Sequence, residues 1–112
     1  MTANEYQLLA ARTINHDLTP EEKLEHAKCG MVSEIGELFA IYQKIYQGHN
    51  NDYNDIHKMK ELGDLLWFIA EYCTVKKWTL EEVMQTNIDK LISRYPEGFE
   101  EYRSLNREEG DI

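Results

Sequence analysis

The sequence lacks the features of a membrane, secreted or nucleic-acid-binding protein. It has no run of about 18 apolar residues, so no segment is predicted to span a membrane, and residues 1–5 do not resemble a signal peptide. The two cysteines, Cys29 and Cys73, lack metal-site spacing and are expected to be reduced thiols. Because 12 basic residues face 21 acidic ones, giving a net charge of −9, a nucleic-acid polymer is not an expected partner. We expect a cytoplasmic protein.

Apolar residues recur at three- and four-residue steps, and strand signals are almost absent, so helices are predicted throughout. We expect one domain over residues 1–112, because a chain of 112 residues has no room for a second core. The expected helices cover about 2–14, 20–47, 56–75 and 80–93. A thin bundle of this size buries little apolar surface. We therefore expect an all-α bundle of four to five helices, completed by homo-oligomerisation as a homodimer or homotetramer.

Helix boundaries are predicted from capping residues and helix breakers. Thr19 and Thr79 each precede a glutamate by three residues, Glu22 and Glu82, which is the pattern of a capping box. Proline and glycine are expected to end regular structure after the fourth helix. The segments expected outside the helices are residues 48–55, residues 96–98 and a polar, loosely held tail at about 100–112.

Each long helix carries an apolar stripe that is expected to face the core. In the second helix the stripe contains Leu24, Met31, Ile35, Leu38, Tyr42 and Ile45. In the third helix it contains Met59, Leu62, Leu66, Ile69 and Cys73. The two helices are expected to pack through these stripes.

Two pairs of acids lie beside the stripes. Glu34 and Glu37 are three residues apart, as are Glu61 and Asp64, so each pair lies on one helix face. At about 100° per residue, both pairs have the same offsets from the centre of their stripe. Antiparallel packing would bring all four carboxylates to one edge. They would repel each other there, which favours a site for a hard cation such as Mg²⁺.

Two other interpretations of these acids remain open at this point. They can be ordinary solvated residues, because a chain with 21 acids contains such pairs by chance. A di-iron carboxylate site is less favoured, because it needs Glu-x-x-His pairs that these segments lack. The histidines are expected to be surface or loop residues rather than ligands: His16, His26, His49 and His57.

Three segments are similar to those of a known family, the MazG-like nucleotide pyrophosphohydrolases. They are residues 30–38 (GMVSEIGEL), 61–68 (ELGDLLWF) and 87–99 (NIDKLISRYPEGF). The resemblance implies an all-α fold and hydrolysis of a nucleoside triphosphate to monophosphate and pyrophosphate with Mg²⁺, or Mn²⁺, as cofactor. It further implies that the metal ligands are Glu34, Glu37, Glu61 and Asp64.

The first segment departs from the family pattern at one position. Ser33 stands where the family often has a leading glutamate, which removes one candidate acid or base. Either Glu34 or Glu37 is then expected to orient or deprotonate the attacking water, and the sequence leaves the choice open.

Substrate contacts are expected mainly from the third segment. Lys90 and Arg94 lie four residues apart and would clamp phosphate oxygens, although a solvated basic face is the alternative. Asn87, three residues before Lys90, could bond to sugar or phosphate. The remaining substrate-binding candidates are Tyr95, Lys44 and Phe68. Phe68 could stack on a base or pack in an interface, with equal weight.

The leading functional prediction is therefore a hydrolase of (deoxy)nucleoside triphosphates. A related α-helical pyrophosphohydrolase for another nucleotide, such as dUTP or phosphoribosyl-ATP, is the nearest alternative. From a different class, the chain could be a non-catalytic oligomerisation or regulatory module in which the acids hold a structural metal.

Overall fold

The computed structural model describes residues 1–49 and 55–112, and within these ranges the chain is helical and has no β-strand. Its helices are α1 (Ala3–Ala11), α2 (Pro20–Tyr46), α3 (Asp55–Lys76), α4 (Leu80–Arg94) and α5 (Glu101–Leu105). The all-α prediction is confirmed. Most of the loop expected at residues 48–55 lies outside the described residues. No helix in the described ranges is long and apolar enough to cross a bilayer.

The predicted capping boxes form at the starts of α2 and α4. The Thr19 hydroxyl accepts a hydrogen bond from the Glu22 backbone N–H at 3.2 Å, and the Glu22 carboxylate accepts one from the Thr19 N–H at 2.9 Å. Thr79 and Glu82 make the same reciprocal bonds at α4. Each box satisfies two backbone donors that a helix start leaves unpaired. These local bonds explain why the sequence predicts both starts correctly.

The most extensive helix contact is between α2 and α3. His26, early in α2, lies 2.9 Å from the carboxylate of Glu71, late in α3. Further along α2, Glu34 lies beside Asp64, which comes earlier in α3. The contacts thus run in opposite chain directions, and the helices are antiparallel, which is the arrangement that the convergence of the acids requires. This arrangement brings the two acidic segments side by side.

Small residues allow α2 and α3 to approach closely. Ala27 and Ala70 are almost completely buried, and Gly30 is buried beneath the ring of Phe68. A Cβ atom at Gly30 would lie 2.5 Å or less from three carbons of that ring. The missing side chain therefore makes the room that Phe68 fills.

The prediction that the apolar stripes of α2 and α3 face the core is wrong for five of their eleven members, which are exposed: Ile35, Tyr42, Met59, Leu62 and Leu66. In the single chain Ile35 and Tyr42 are each 42% exposed and Leu62 is 50% exposed. The close approach at the small residues centres the buried face of α2 near Ala27 and Gly30, while part of the predicted stripe stays partly buried: Leu24, Met31, Leu38 and Ile45. The fully buried positions of α2 are Ala27, Gly30 and Ile41.

A buried glutamine on α1 fixes the turn between α3 and α4. Gln7 accepts a hydrogen bond from the Leu80 N–H at 2.6 Å and donates to the Trp78 carbonyl at 2.9 Å. The turn also needs Lys77 in the left-handed region, with φ 61°, a conformation that L-residues adopt at a cost. These bonds set the direction in which α4 leaves α3.

The segment after α4 contains a short helix and an ion pair that the sequence does not predict. Residues 101–105 form the short helix α5. Beyond it, the Asp111 carboxylate accepts two hydrogen bonds from the Arg94 guanidinium, at 2.9 and 2.7 Å. This ion pair joins residues 17 apart in the chain and connects the segment to α4, while the expectation of a loosely held tail stays a prediction.

Candidate metal centre

Three of the four predicted metal ligands converge between α2 and α3. Glu34, Glu61 and Asp64 each offer one carboxylate oxygen, and these oxygens all lie within 4.8 Å of one another. Glu34 and Glu61 are partly buried, while Asp64 is exposed. The cluster is thus open to solvent on the side of Asp64. A ligand could enter from that side without any rearrangement of the helices.

Glu37 lies outside this group of oxygens. It is one turn beyond Glu34 on α2 and its side chain is exposed. Its charge is still close enough to contribute to raising the pKa of Glu34. Glu37 therefore lies at the rim of the cluster rather than among its three converging carboxylates.

The electrostatics of the cluster oppose full ionisation of its acids. The pKa of Glu34 is raised above its usual value, first by burial and then by the negative charge of Asp64. A hydrogen bond with Glu61, which requires a proton between the two carboxyl groups, raises it further. Like charges held this close favour a protonated acid or a bound cation. Oxygen donors are the ligands that Mg²⁺ and similar hard cations prefer, so the donor set fits such an ion.

Two residues that the sequence did not single out border the cluster. The Tyr6 hydroxyl of α1 lies 3.5 Å from the Gly63 carbonyl oxygen, and its pKa is raised by burial and by the charge of Asp64. His57 Nε2 lies 3.3 Å from a Glu61 oxygen. His57 was expected to be a surface or loop residue, yet its i,i+4 spacing to Glu61 could have revealed this contact.

Comparison with known families decides the broader assignment. The profile of the MazG nucleotide pyrophosphohydrolase domain matches residues 22–99, and this range contains both acidic segments. The chain belongs to the MazG family. The family resemblance inferred from the three sequence segments is thereby confirmed.

Among curated proteins the chain is similar to the "Gene 37 protein" of Mycobacterium phage L5. The two are 31% identical over 100 residues, which cover 83% of this chain and 88% of the phage protein. No solved structure matches the chain significantly.

The family match extends into α4, where the predicted substrate contacts divide between two cavities. Asn87 and Lys90 line a largely apolar groove of about 560 Å³, together with Trp78 and Val83. Arg94 lines a separate cavity with residues of the following segment. In the single chain, Lys90 and Arg94 therefore line different cavities.

The other substrate-binding candidates have different surroundings. The ring of Phe68 packs over Gly30 and makes edge contacts with Trp67 and His26, with ring centroids 5.0 and 5.4 Å apart. These contacts place Phe68 in the packing between α2 and α3. Tyr95 is partly buried and packs on a neighbouring phenylalanine. Lys44 is exposed in the last turn of α2.

His26 is exposed, as expected, but its ring also pairs with a buried acid. Its Nδ1 lies 2.9 and 3.1 Å from the two carboxylate oxygens of Glu71, a side chain with no exposed surface. A buried carboxylate needs such a partner, because burial of an unpaired charge is costly. Like the acidic cluster, this pair joins α2 to α3, and it adds a polar contact between the two helices.

Proposed function

We propose that this MazG-family chain hydrolyses (deoxy)nucleoside triphosphates to the monophosphate and pyrophosphate, with Mg²⁺ as the cofactor. The observation that carries the proposal is the convergence of Glu34, Glu61 and Asp64 within 4.8 Å inside a matched pyrophosphohydrolase domain. We place the protein in the cytoplasm as part of the same proposal, because Mg²⁺ and nucleoside triphosphates occur there together.

The three converging acids would hold the cation, and Mn²⁺ could replace Mg²⁺ at such oxygen donors. When bound, the metal would neutralise phosphate charge and acidify a water molecule. Glu37 would be a fourth metal ligand, or it would act on the attacking water from the edge of the cluster. Its exposed carboxylate, one turn from Glu34, is placed to orient or deprotonate the attacking water.

Substrate binding is assigned to the residues on α4. The groove beside Asn87 and Lys90 is of the size that small ligands occupy. Lys90 supplies a cation for phosphate, Asn87 supplies an amide for sugar or phosphate, and Trp78 supplies an aromatic wall. Arg94 would join them as a second phosphate ligand once its present partner is displaced. Tyr95, at the end of α4, and Lys44, in the last turn of α2, are secondary candidates.

We propose that the active form is a homodimer or homotetramer. The radius of gyration is 17.7 Å, whereas a compact chain of this length has roughly 13 Å. Exposed apolar residues on α2 and α3, some of them members of the predicted stripes, form an apolar face that a second copy would cover. Members of this face that are exposed in the single chain are Val32, Ile35, Phe39, Ile56, Met59 and Leu62.

The function is tested by measuring pyrophosphate release from a panel of ribo- and deoxynucleoside triphosphates, dUTP and phosphoribosyl-ATP, with Mg²⁺ or with EDTA. The proposal requires metal-dependent release from at least one nucleoside triphosphate. Glu34→Gln, Glu37→Gln, Glu61→Gln and Asp64→Asn should each lower turnover by at least about 100-fold. Glu21→Gln, an exposed acid in the first turn of α2, is the control and should keep the parent rate.

Three outcomes would overturn parts of the proposal. Activity confined to dUTP or phosphoribosyl-ATP would favour the more specialised enzyme. Metal binding without hydrolysis of any nucleotide would favour the non-catalytic module with a structural metal. Near-parent turnover in two of the four acid variants would contradict the carboxylate site.

The oligomer is tested by light scattering at micromolar concentration. Val32→Glu places a charge within the apolar face and should reduce the mass toward that of a monomer. Leu8→Glu changes an equally exposed apolar residue on α1 and should leave the assembly intact. A monomer mass for the parent would refute the oligomer.

A further inference from the structure

A cavity between α4 and the segment after it concentrates most of the arginines of the chain. The sequence contains four arginines, and Arg94, Arg103 and Arg107 all line this one cavity. Asn106 adds a side-chain amide to the wall. Two acids, Glu108 and Asp111, also line it, so three guanidinium groups face two carboxylates in a chain whose net charge is −9. Arginine is the residue that grips carboxylates and phosphates through two parallel hydrogen bonds.

The cavity already contains an anion, the carboxylate of Asp111. Arg94 donates to both of its oxygens, from Nε at 2.9 Å and from an Nη atom at 2.7 Å. The two side chains are only 10% and 19% exposed. The pKa of Asp111 is lowered mainly by its hydrogen bond to Arg94, and the charges of Arg107 and Lys90 lower it further. Positive charge from three side chains therefore converges on one carboxylate.

A glycine turn delivers this carboxylate to the cavity. The Asp111 N–H donates to the Glu108 carbonyl at 3.1 Å, which closes a tight turn over residues 108–111. Gly110 within it has φ 87°, a conformation in which other residues are strained. This short turn therefore positions the Asp111 carboxylate against Arg94.

We propose that the Arg94–Arg103–Arg107 cavity is a phosphate-binding site whose internal ligand is Asp111, so that a phosphate group must displace Asp111 to bind. Carboxylate and phosphate oxygens use the same two-pronged contact with a guanidinium, so both cannot occupy Arg94 at once. The identity of the anion as the phosphate chain of a nucleotide rests on the proposed function. The competition itself does not.

Competition of this kind has a defined effect on affinity. The apparent dissociation constant equals the intrinsic constant divided by the fraction of molecules in which the site is free. Loss of the Asp111 charge should raise that fraction. Because partly exposed ion pairs are weak, we expect Asp111→Asn to tighten binding by about two- to fivefold.

The test is isothermal titration calorimetry with inorganic pyrophosphate in EDTA, which removes metal-dependent binding, and the arginine variants then separate binding at the cavity from binding beside Lys90. Asp111→Asn should bind pyrophosphate more tightly than the parent, and orthophosphate more weakly than pyrophosphate. Gly110→Ala, which strains the turn, should act in the same direction. Asp17→Asn makes the same charge change on an exposed residue far along the chain and is the matched control.

Arg94→Ala in the Asp111→Asn background should abolish the gain, and Arg107→Ala should weaken binding in every background. Unchanged or weaker binding by Asp111→Asn would show that Asp111 is only a structural anchor. Absence of pyrophosphate binding in all variants would show that the cavity is not a phosphate site. Because the assay contains no metal, its outcome is independent of whether the parent hydrolyses a nucleotide, which the pyrophosphate-release panel decides separately.

Discussion

Glu34→Gln should be more stable than the parent in the absence of metal. Addition of Mg²⁺ should reverse that order, so that the parent becomes the more stable protein. Glu34 lies within 4.8 Å of Glu61 and Asp64. At that separation, two unit charges in a water-like medium repel by about 1 kcal/mol, and Asp64 is exposed enough to justify that medium. Glu34→Gln removes both repulsions. We expect the metal-free variant to be about 1–2 kcal/mol more stable than the metal-free parent.

Mg²⁺ should change this order. A cation at 100 times its dissociation constant stabilises the form that binds it by about 2.7 kcal/mol. For a domain of this size, each kcal/mol corresponds to a shift of roughly 4 °C in Tm. The parent should therefore gain on the order of 10 °C with saturating Mg²⁺. Glu34→Gln should gain little, because it lacks a negatively charged ligand.

The assay is thermal unfolding at one fixed protein concentration, with EDTA and with Mg²⁺. Glu21→Gln is the matched control and should keep the metal response of the parent. Refutation would come from a metal-free Glu34→Gln protein that is no more stable than the parent. Equal Mg²⁺ shifts in the parent and in Glu34→Gln would also refute the reasoning.

The same cluster predicts a pH dependence whose sign follows from the raised pKa of Glu34. The folded state disfavours the ionised carboxylate relative to the unfolded state, so the penalty is full above the folded pKa. It is relieved as the pH falls through that value. In EDTA, lowering the pH from about 7 to about 5 should therefore stabilise the parent relative to Glu34→Gln, because the variant lacks this contribution.

Further predictions concern the helix packing around the centre. Gly30→Ala should destabilise the protein by about 1–3 kcal/mol in denaturant unfolding, because its Cβ collides with the ring of Phe68; Phe68→Leu should recover part of the loss, and a stable Gly30→Ala variant would contradict the tight packing. His26→Ala should cost about 1–3 kcal/mol by leaving buried Glu71 without this partner, and Glu71→Gln should lessen that cost. Lys77→Gly should stabilise by up to about 1 kcal/mol through relief of the left-handed conformation, and a lower Tm would refute this.

Local patterns in the sequence determined much of the fold. The capping boxes at Thr19 and Thr79 involve residues three apart, so the sequence contains both partners of each bond. The same is true of the acidic pairs. Their angular offsets predicted a common edge, and the structure brings together three of the four acids, with Glu37 at the rim. The similarity of three segments to the MazG family predicted the family of the chain, which helical periodicity alone does not indicate.

The choice of buried face depended on tertiary packing. Ile35 and Leu62 have the helical spacing of core residues, yet they are exposed in the single chain. Ala27 and Gly30 are buried instead, because small residues permit the closest approach of two helices. Periodicity identifies an apolar face, but it does not tell whether that face meets another helix of the chain or a second copy.

The most distant contacts were decided only by the tertiary structure. Glu71 meets His26, 45 residues away in the chain, because α2 packs on α3, and Asp111 reaches Arg94 through a turn at Gly110. No helical or capping pattern relates such positions in the sequence. Side chains close in sequence meet through the fixed geometry of a helix, whereas these partners meet only after the helices have packed and the chain has turned back on itself.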